Sequence, residues 1–230
     1  NPMKYLITIL AFSYSTVLIA QSNNPYGLDM ITTVKEYEES IGENLENEMV
    51  DLEICLPSLV LDIRYATENN FTKEVIYPYA KAYCRKPIAK ALENVQKELQ
   101  QGGLGLKIYD AYRPYAATVK FYEVYGDTTY VANPKYGSRH NRGAAVDVTL
   151  INLKTGEEIP MPTEYDDFNE EAHPDYIGLS QDEKENRDYL IDVMSRHGFS
   201  VYPYEWWHFD FISWEKYSLM DLSFKQLEEL

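Results

Sequence analysis

The sequence is short of positive charge. Lysine and arginine together number 21 against 37 aspartates and glutamates, a formal net charge of −16 over 230 residues. With no basic stripe to neutralise phosphates, the balance argues against nucleic-acid binding. The same balance argues against docking on an anionic membrane surface, and plain solubility accounts for most of the acidic excess. Cysteine is scarce, limited to Cys55 and Cys84. Neither lies beside a histidine, so neither reads as a nucleophile. The pair forms one disulfide or remains two free thiols, and the sequence leaves both open. Histidine is confined to His140, His173, His197 and His208, and no internal repeat is present.

Long apolar runs are missing except at the start. In MKYLITILAFSYSTVLIAQS one lysine precedes an apolar stretch from Tyr5 to Ala20. That is short for a membrane span, which takes about 20 apolar residues. It reads as a secretory leader over residues 1–20, cleaved near Ala20, with an uncleaved anchor as the alternative. No cysteine follows the run, which speaks against a lipid anchor. The expected mature protein is exported, to a bacterial periplasm, and carries no membrane domain. Residues 21–50 are polar and acidic with little periodicity and read as a tether. Residues 51–230 then form one domain, long enough for a full-sized core.

Within that domain LVLDIRYA alternates as a strand, with Leu61, Ile63 and Tyr65 on one face. KPIAKALENVQKELQQGG predicts a helix: Pro87 suits its first turn, Ile88, Ala91, Leu92, Val95 and Leu99 make one stripe, and Gly102-Gly103 ends it. LGLKIYD predicts a strand ending at Asp110, and a helix follows from Tyr115 to Tyr125. AAVDVTLIN predicts a strand with Val146, Val148 and Leu150 facing one way and Asp147 the other. A helix over residues 183–197 leads into FSVYPYEWWHFDFI, a strand or bent hairpin arm. Strands and helices mix without a regular βαβ beat, so the fold class is α+β, a single domain with a central antiparallel sheet and flanking helices.

Two segments carry chemistry. In SRHNRGAAVD, Gly143 lets the chain turn so that His140 and Asp147 converge, and the flanking alanines leave room. A buried aspartate needs a cation or metal partner; imidazole and carboxylate ligands suit Zn²⁺, and three protein ligands plus water is the catalytic pattern. In EWWHFDF, Glu205 precedes His208 by three, the expected general base near a zinc ligand. On a flat strand these two positions face opposite ways. Glu205 is therefore expected before a bulge or at the irregular start of the strand, near Pro203. His197 reads as a cation at a helix C-terminus, and His173 as structural.

The motif S-x-H-x-x-G-x-A-x-D over Ser138, His140, Gly143, Ala145 and Asp147, followed by E-x-W-H from Glu205 to His208, resembles the VanX-type D-alanyl-D-alanine dipeptidases. These are zinc metallopeptidases of family M15 that share a fold with the hedgehog signalling domain. IRYATENNFT, DAYRP and HNRGAAVDVTL extend the resemblance over roughly residues 52–212. It implies one Zn²⁺ on His140, Asp147 and His208, Glu205 as catalytic base and Arg113 as the transition-state arginine. It also implies that Tyr65 and Asp166 receive the amino terminus of a small dipeptide, with Asp110 and Ser138 lining the same pocket. The nearest rival is a zinc D,D-carboxypeptidase acting on peptidoglycan stem peptides. A non-catalytic hedgehog-like binding module is a more distant one, since it would need neither Glu205 nor Arg113. Free D-Ala-D-Ala hydrolysis in the periplasm suits cell-wall recycling, nutrient use or glycopeptide resistance alike.

Overall fold

The apolar stripe at Ile88, Leu92, Val95 and Leu99 is completely buried on one face of a helix spanning Lys86–Gln101. Each such side chain contributes roughly 1.5–3 kcal/mol by leaving water. Ala91 lies only half-buried at the edge of the stripe. The same face holds one polar residue, Gln96, whose Oε1 accepts from the Leu106 amide at 2.8 Å and whose Nε2 donates to the Ser58 carbonyl at 3.1 Å. The helix is thereby pinned to the strand that follows it.

The computed structural model describes residues 24–230; the expected leader over residues 1–20 lies outside them. In chain order come β1 (Met30–Ile31), α1 (Val34–Glu43), β2 (Met49–Asp51), α2 (Leu52–Cys55), β3 (Val60–Leu61), β4 (Tyr83–Arg85), α3 (Lys86–Gln101), β5 (Leu104–Asp110) and α4 (Tyr115–Val124). After these follow β6 (Ala145–Asn152), α5 (Gln181–Arg196), β7 (Phe199–Tyr202), β8 (Glu205–Phe211), β9 (Leu219–Met220) and α6 (Phe224–Glu228). The main sheet has the order β3-β5-β6-β8-β7. It is antiparallel except at one edge, where β3 runs parallel to β5. Two small two-stranded sheets, β1-β9 and β2-β4, flank it. The arrangement is α+β, as the sequence pattern indicated. Among the described residues no helix is long and apolar enough to cross a membrane.

Two expectations need correction. Residues 21–50 do not form a tether along their whole length. From Met30 onward they belong to the domain: β1 pairs with β9, and α1 starts at a capping box between Thr33 and Glu36. Tyr37 is buried, with its hydroxyl accepting from the Met49 amide at 2.6 Å. One aromatic anchor and a cap hold this helix, so its surface stays acidic and its sequence looks like a linker. The strand expected to reach Tyr65 stops at Leu61, and Arg64–Ala66 form a 3₁₀ turn instead. The Tyr65 carbonyl accepts from the Ile76 and Tyr77 amides, at 2.9 and 2.8 Å, rather than from a neighbouring strand. Cys55, exposed, and Cys84, buried, are both free thiols.

Candidate active site

Asp147, in the middle of β6, stands directly opposite His208 of β8. His140 approaches from the 3₁₀ turn His140–Arg142 that precedes β6. The turn closes at Gly143, whose φ of 65° is left-handed; a Cβ there would lie 2.7 Å from Cε and Sδ of Met49. The backbone favours glycine there, and any side chain would also have to displace the flexible end of Met49.

The outer nitrogens of the two imidazoles are spoken for. His140 Nδ1 lies 2.7 Å from the Ala111 carbonyl and His208 Nε2 lies 2.9 Å from Asp210 Oδ1. Donation outward leaves His140 Nε2 and His208 Nδ1 as lone-pair atoms facing inward. These two nitrogens are 3.1 Å apart, and Asp147 Oδ1 is 3.3 Å from the first and 3.1 Å from the second. Asp147 Oδ1 is buried without a hydrogen-bond donor. Three inward-facing acceptors at this spacing repel unless a cation lies among them. Zinc bonds of about 2.0–2.1 Å in a tetrahedron would separate ligand atoms by about 3.3–3.4 Å. The donor set fits a divalent metal.

Glu205 reaches the same place by the expected irregularity. Val201 pairs with Phe209 while Tyr202 pairs with Glu205, so β8 bulges across Trp206–His208. The bulge turns Glu205 toward the face that His208 uses. Its Oε2 lies 3.7 Å from His208 Nδ1, and burial pushes its carboxyl well above the usual carboxylate range.

A second bulge sits in β5. Ile108 pairs with Val148 but Asp110 pairs with Asp147, so Asp110 is opposite the triad carboxylate. Asp110 accepts from Arg113 Nε at 2.9 Å and Nη2 at 2.8 Å, and from the Tyr77 hydroxyl at 3.0 Å. The Arg113 guanidinium lies over the Phe121 ring, 4.7 Å from its centroid, with Nη2 3.9 Å from Asp147 Oδ2. Ser138 Oγ accepts from the His140 amide at 3.2 Å.

Asp166 adopts a left-handed φ of 64°, a strained conformation for a residue with a side chain. It accepts from the Tyr65 hydroxyl at 3.0 Å and the Phe71 amide at 3.2 Å, and burial pushes it up to about 7. All nine residues singled out in the sequence gather here. Arg113, His140, Asp147, Glu205, His208, Tyr65, Asp166 and Ser138 line one cavity of about 430 Å³, with Asp110 beneath Arg113. His197 and His173 do not line it: His197 sits 2.8 Å from Glu98 and His173 3.1 Å from the Tyr130 hydroxyl.

The sequence matches the peptidase M15 family, described as D-Ala-D-Ala dipeptidase, over residues 45–224. This chain belongs to that family. It is 34% identical over 173 residues to the D-alanyl-D-alanine dipeptidase of Escherichia coli, covering 75% of this chain and 89% of the relative. The enzyme of the same name from Enterococcus faecalis is 30% identical over 188 residues, covering 73% of this chain and 93% of the relative. That from Enterococcus faecium is 32% identical over 168 residues, covering 64% and 83%. The protein is thus an M15 metallopeptidase.

Three supporting residues of this M15 peptidase escaped the sequence reading. Asn141, fully buried, accepts from the Ser138 amide and donates to the Arg113 carbonyl and Thr118 hydroxyl, locking the His140 turn to the arginine. Tyr165 donates to Asp147 Oδ2 at 2.9 Å and lies 3.1 Å from the Tyr65 hydroxyl. Asp210 orients His208, and only this one had a readable signal, since position i+2 on a strand shares a face with position i. Asp210→Asn should weaken metal binding about 10–100-fold, as outer partners of ligating histidines commonly do. Competition with a chromogenic chelator measures this directly; unchanged affinity would mean that Asp210 does not set the ring's orientation.

Proposed function

We propose that this protein hydrolyses free D-alanyl-D-alanine to two D-alanines, using one zinc ion held by His140, Asp147 and His208. The two-imidazole, one-carboxylate donor set supports zinc over harder cations, which prefer all-oxygen ligands. When bound, the ion supplies Lewis acidity, acidifying the attacking water, polarising the scissile carbonyl and drawing Glu205 toward its ionised form. Glu205 takes a proton from the water as oxygen adds to the carbonyl carbon. It then delivers that proton to the amine nitrogen as the C–N bond breaks. Arg113, fixed by Asp110, faces the developing oxyanion with a charge that needs no reorganisation. The apolar run at residues 5–20 supports export, with the periplasm as the site of action.

The observation that carries the choice of substrate is Asp166. Its carboxylate receives hydrogen bonds from two neutral groups and forms no ion pair among the described residues. A half-buried carboxylate of this kind gains most from a cation, and the free ammonium of a dipeptide supplies one. An acetylated amino terminus, or a longer stem peptide running through the pocket, brings no such cation to this position. The expected result is hydrolysis of D-Ala-D-Ala with little or none of N-acetyl-D-Ala-D-Ala or a pentapeptide stem. Asp166→Ala should raise KM for the free dipeptide and narrow the gap to the acetylated one. Equal cleavage of free and acetylated substrates by the parent enzyme would replace this reading with a D,D-carboxypeptidase.

A further inference from the structure

The His140–Asp147–His208 triad lies between two charged groups placed toward opposite edges of the sheet, both in the wall of the same cavity. On the β3 side, Asp147 connects through Tyr165 and Tyr65 to the Asp166 carboxylate. On the β7 side, His208 connects through Asp210 to Arg139, whose Nη1 lies 3.3 Å from Asp210 Oδ2. Sheet order fixes these sides: Tyr65 follows edge strand β3, Tyr202 belongs to edge strand β7, and the ligands on β6 and β8 lie between. The Arg139 guanidinium rests 4.8 Å from the Trp214 ring centroid and 5.9 Å from that of Tyr202. All three residues line the cavity.

Of the other two arginines of the cavity wall, Arg113 is buried against Asp110, and Arg142 also lies over the Trp214 ring but reaches away to the Tyr217 backbone. Arg113 gives Nε and Nη2 to Asp110, and Arg142 gives Nη1 to the Tyr217 carbonyl. Arg139 has five N–H donors, and its single ion pair among the described residues is the contact with Asp210. Its side chain is 36% exposed and lines the cavity. A stacked guanidinium with unspent donors is built to take a carboxylate in a forked pair.

We infer that Arg139 binds the substrate's C-terminal carboxylate. Together with Asp166 it makes the site select a dipeptide by both of its charged ends. This rests on the dipeptidase reading and extends it: a peptide prolonged at either end loses one of two charge pairs. Arg139 here sets specificity and takes no part in proton transfer.

The test compares D-Ala-D-Ala with its C-terminal carboxamide on metal-loaded protein. The parent should prefer the acid by about ten- to a hundredfold in kcat/KM, the usual worth of a hydrogen-bonded charge. Arg139→Met should raise KM for the acid by a similar factor, cost the amide far less and retain its metal, while Arg139→Lys should keep part of the preference. Equal loss on both substrates, or loss of metal, would show that Arg139 only braces Asp210. A parent enzyme indifferent to the amide would overturn the inference outright. Calorimetric binding of acid and amide to Glu205→Gln, with and without Arg139→Met, repeats the comparison without turnover. Absence of hydrolysis would therefore count against the dipeptidase reading alone, while the binding pair still decides on Arg139.

Discussion

Glu205→Gln should retain its metal and turn over D-Ala-D-Ala about 10²–10⁴-fold more slowly, the range of a general-base contribution. The amide keeps the shape of the side chain, so the bulge in β8 and the packing of its tryptophans are undisturbed. What it cannot do is accept the proton of the attacking water. Glu205 Oε2 lies 3.7 Å from His208 Nδ1. It stands beside the three converging atoms rather than among them, which is why metal content should not change. KM should move little, because the two ends of the dipeptide are proposed to meet Asp166 and Arg139 instead. Turnover close to that of the parent would assign the proton to another group. Loss of metal would make Glu205 a ligand.

His208→Ala is expected to lose both metal and activity. Changes to outer partners of metal-bound histidines already cost 10–100-fold, so removing an inner nitrogen should cost more than about 100-fold in affinity. Two measurements separate this from simple unfolding. Metal analysis after dialysis should show a marked deficit in the variant. Thermal denaturation should show the parent gaining stability as zinc is added, by about 2.7 kcal/mol at a hundredfold excess over Kd, while the variant does not respond. Full occupancy in His208→Ala would remove His208 from the ligand set.

The convergence of the site residues was easier to read from the sequence than the architecture around it. His140, Gly143 and Asp147 lie within eight residues, where a single turn decides whether they meet. Glu205 and His208 are three apart, and their incompatibility with a flat strand itself called for the bulge that is found. Long elements with a clear period, such as α3 and β5, were also legible. The segment before residue 51 was not. Its helix buries one tyrosine, and its two-residue strand pairs with a partner at the far end of the chain. Neither leaves a periodic trace. Tyr165 and Asn141 were invisible for a similar reason, since their roles depend on hydrogen bonds to residues 18 and 28 positions away. The end of the strand at Leu61 is tertiary in origin, because the next turn is shaped by its bonds to the Ile76 and Tyr77 amides.

The pairing of β1 with β9 bears on how the enzyme comes into being. Met30 lies beside Leu219, about 190 residues away along the chain. The Leu219 side chain in turn packs so closely on Gly137 that a Cβ there would lie 2.6 Å from it. The segment carrying His140 is thus backed by a strand that is synthesised after all three residues of the triad, and steadied by one synthesised before them. A nascent chain emerging from the ribosome does not hold the complete His140–Asp147–His208 triad until residue 208 has passed. It also lacks this buttress until some ten residues later. Metal capture is then a late event in assembly, favoured where the whole chain has been released, and pairings of such long range close slowly.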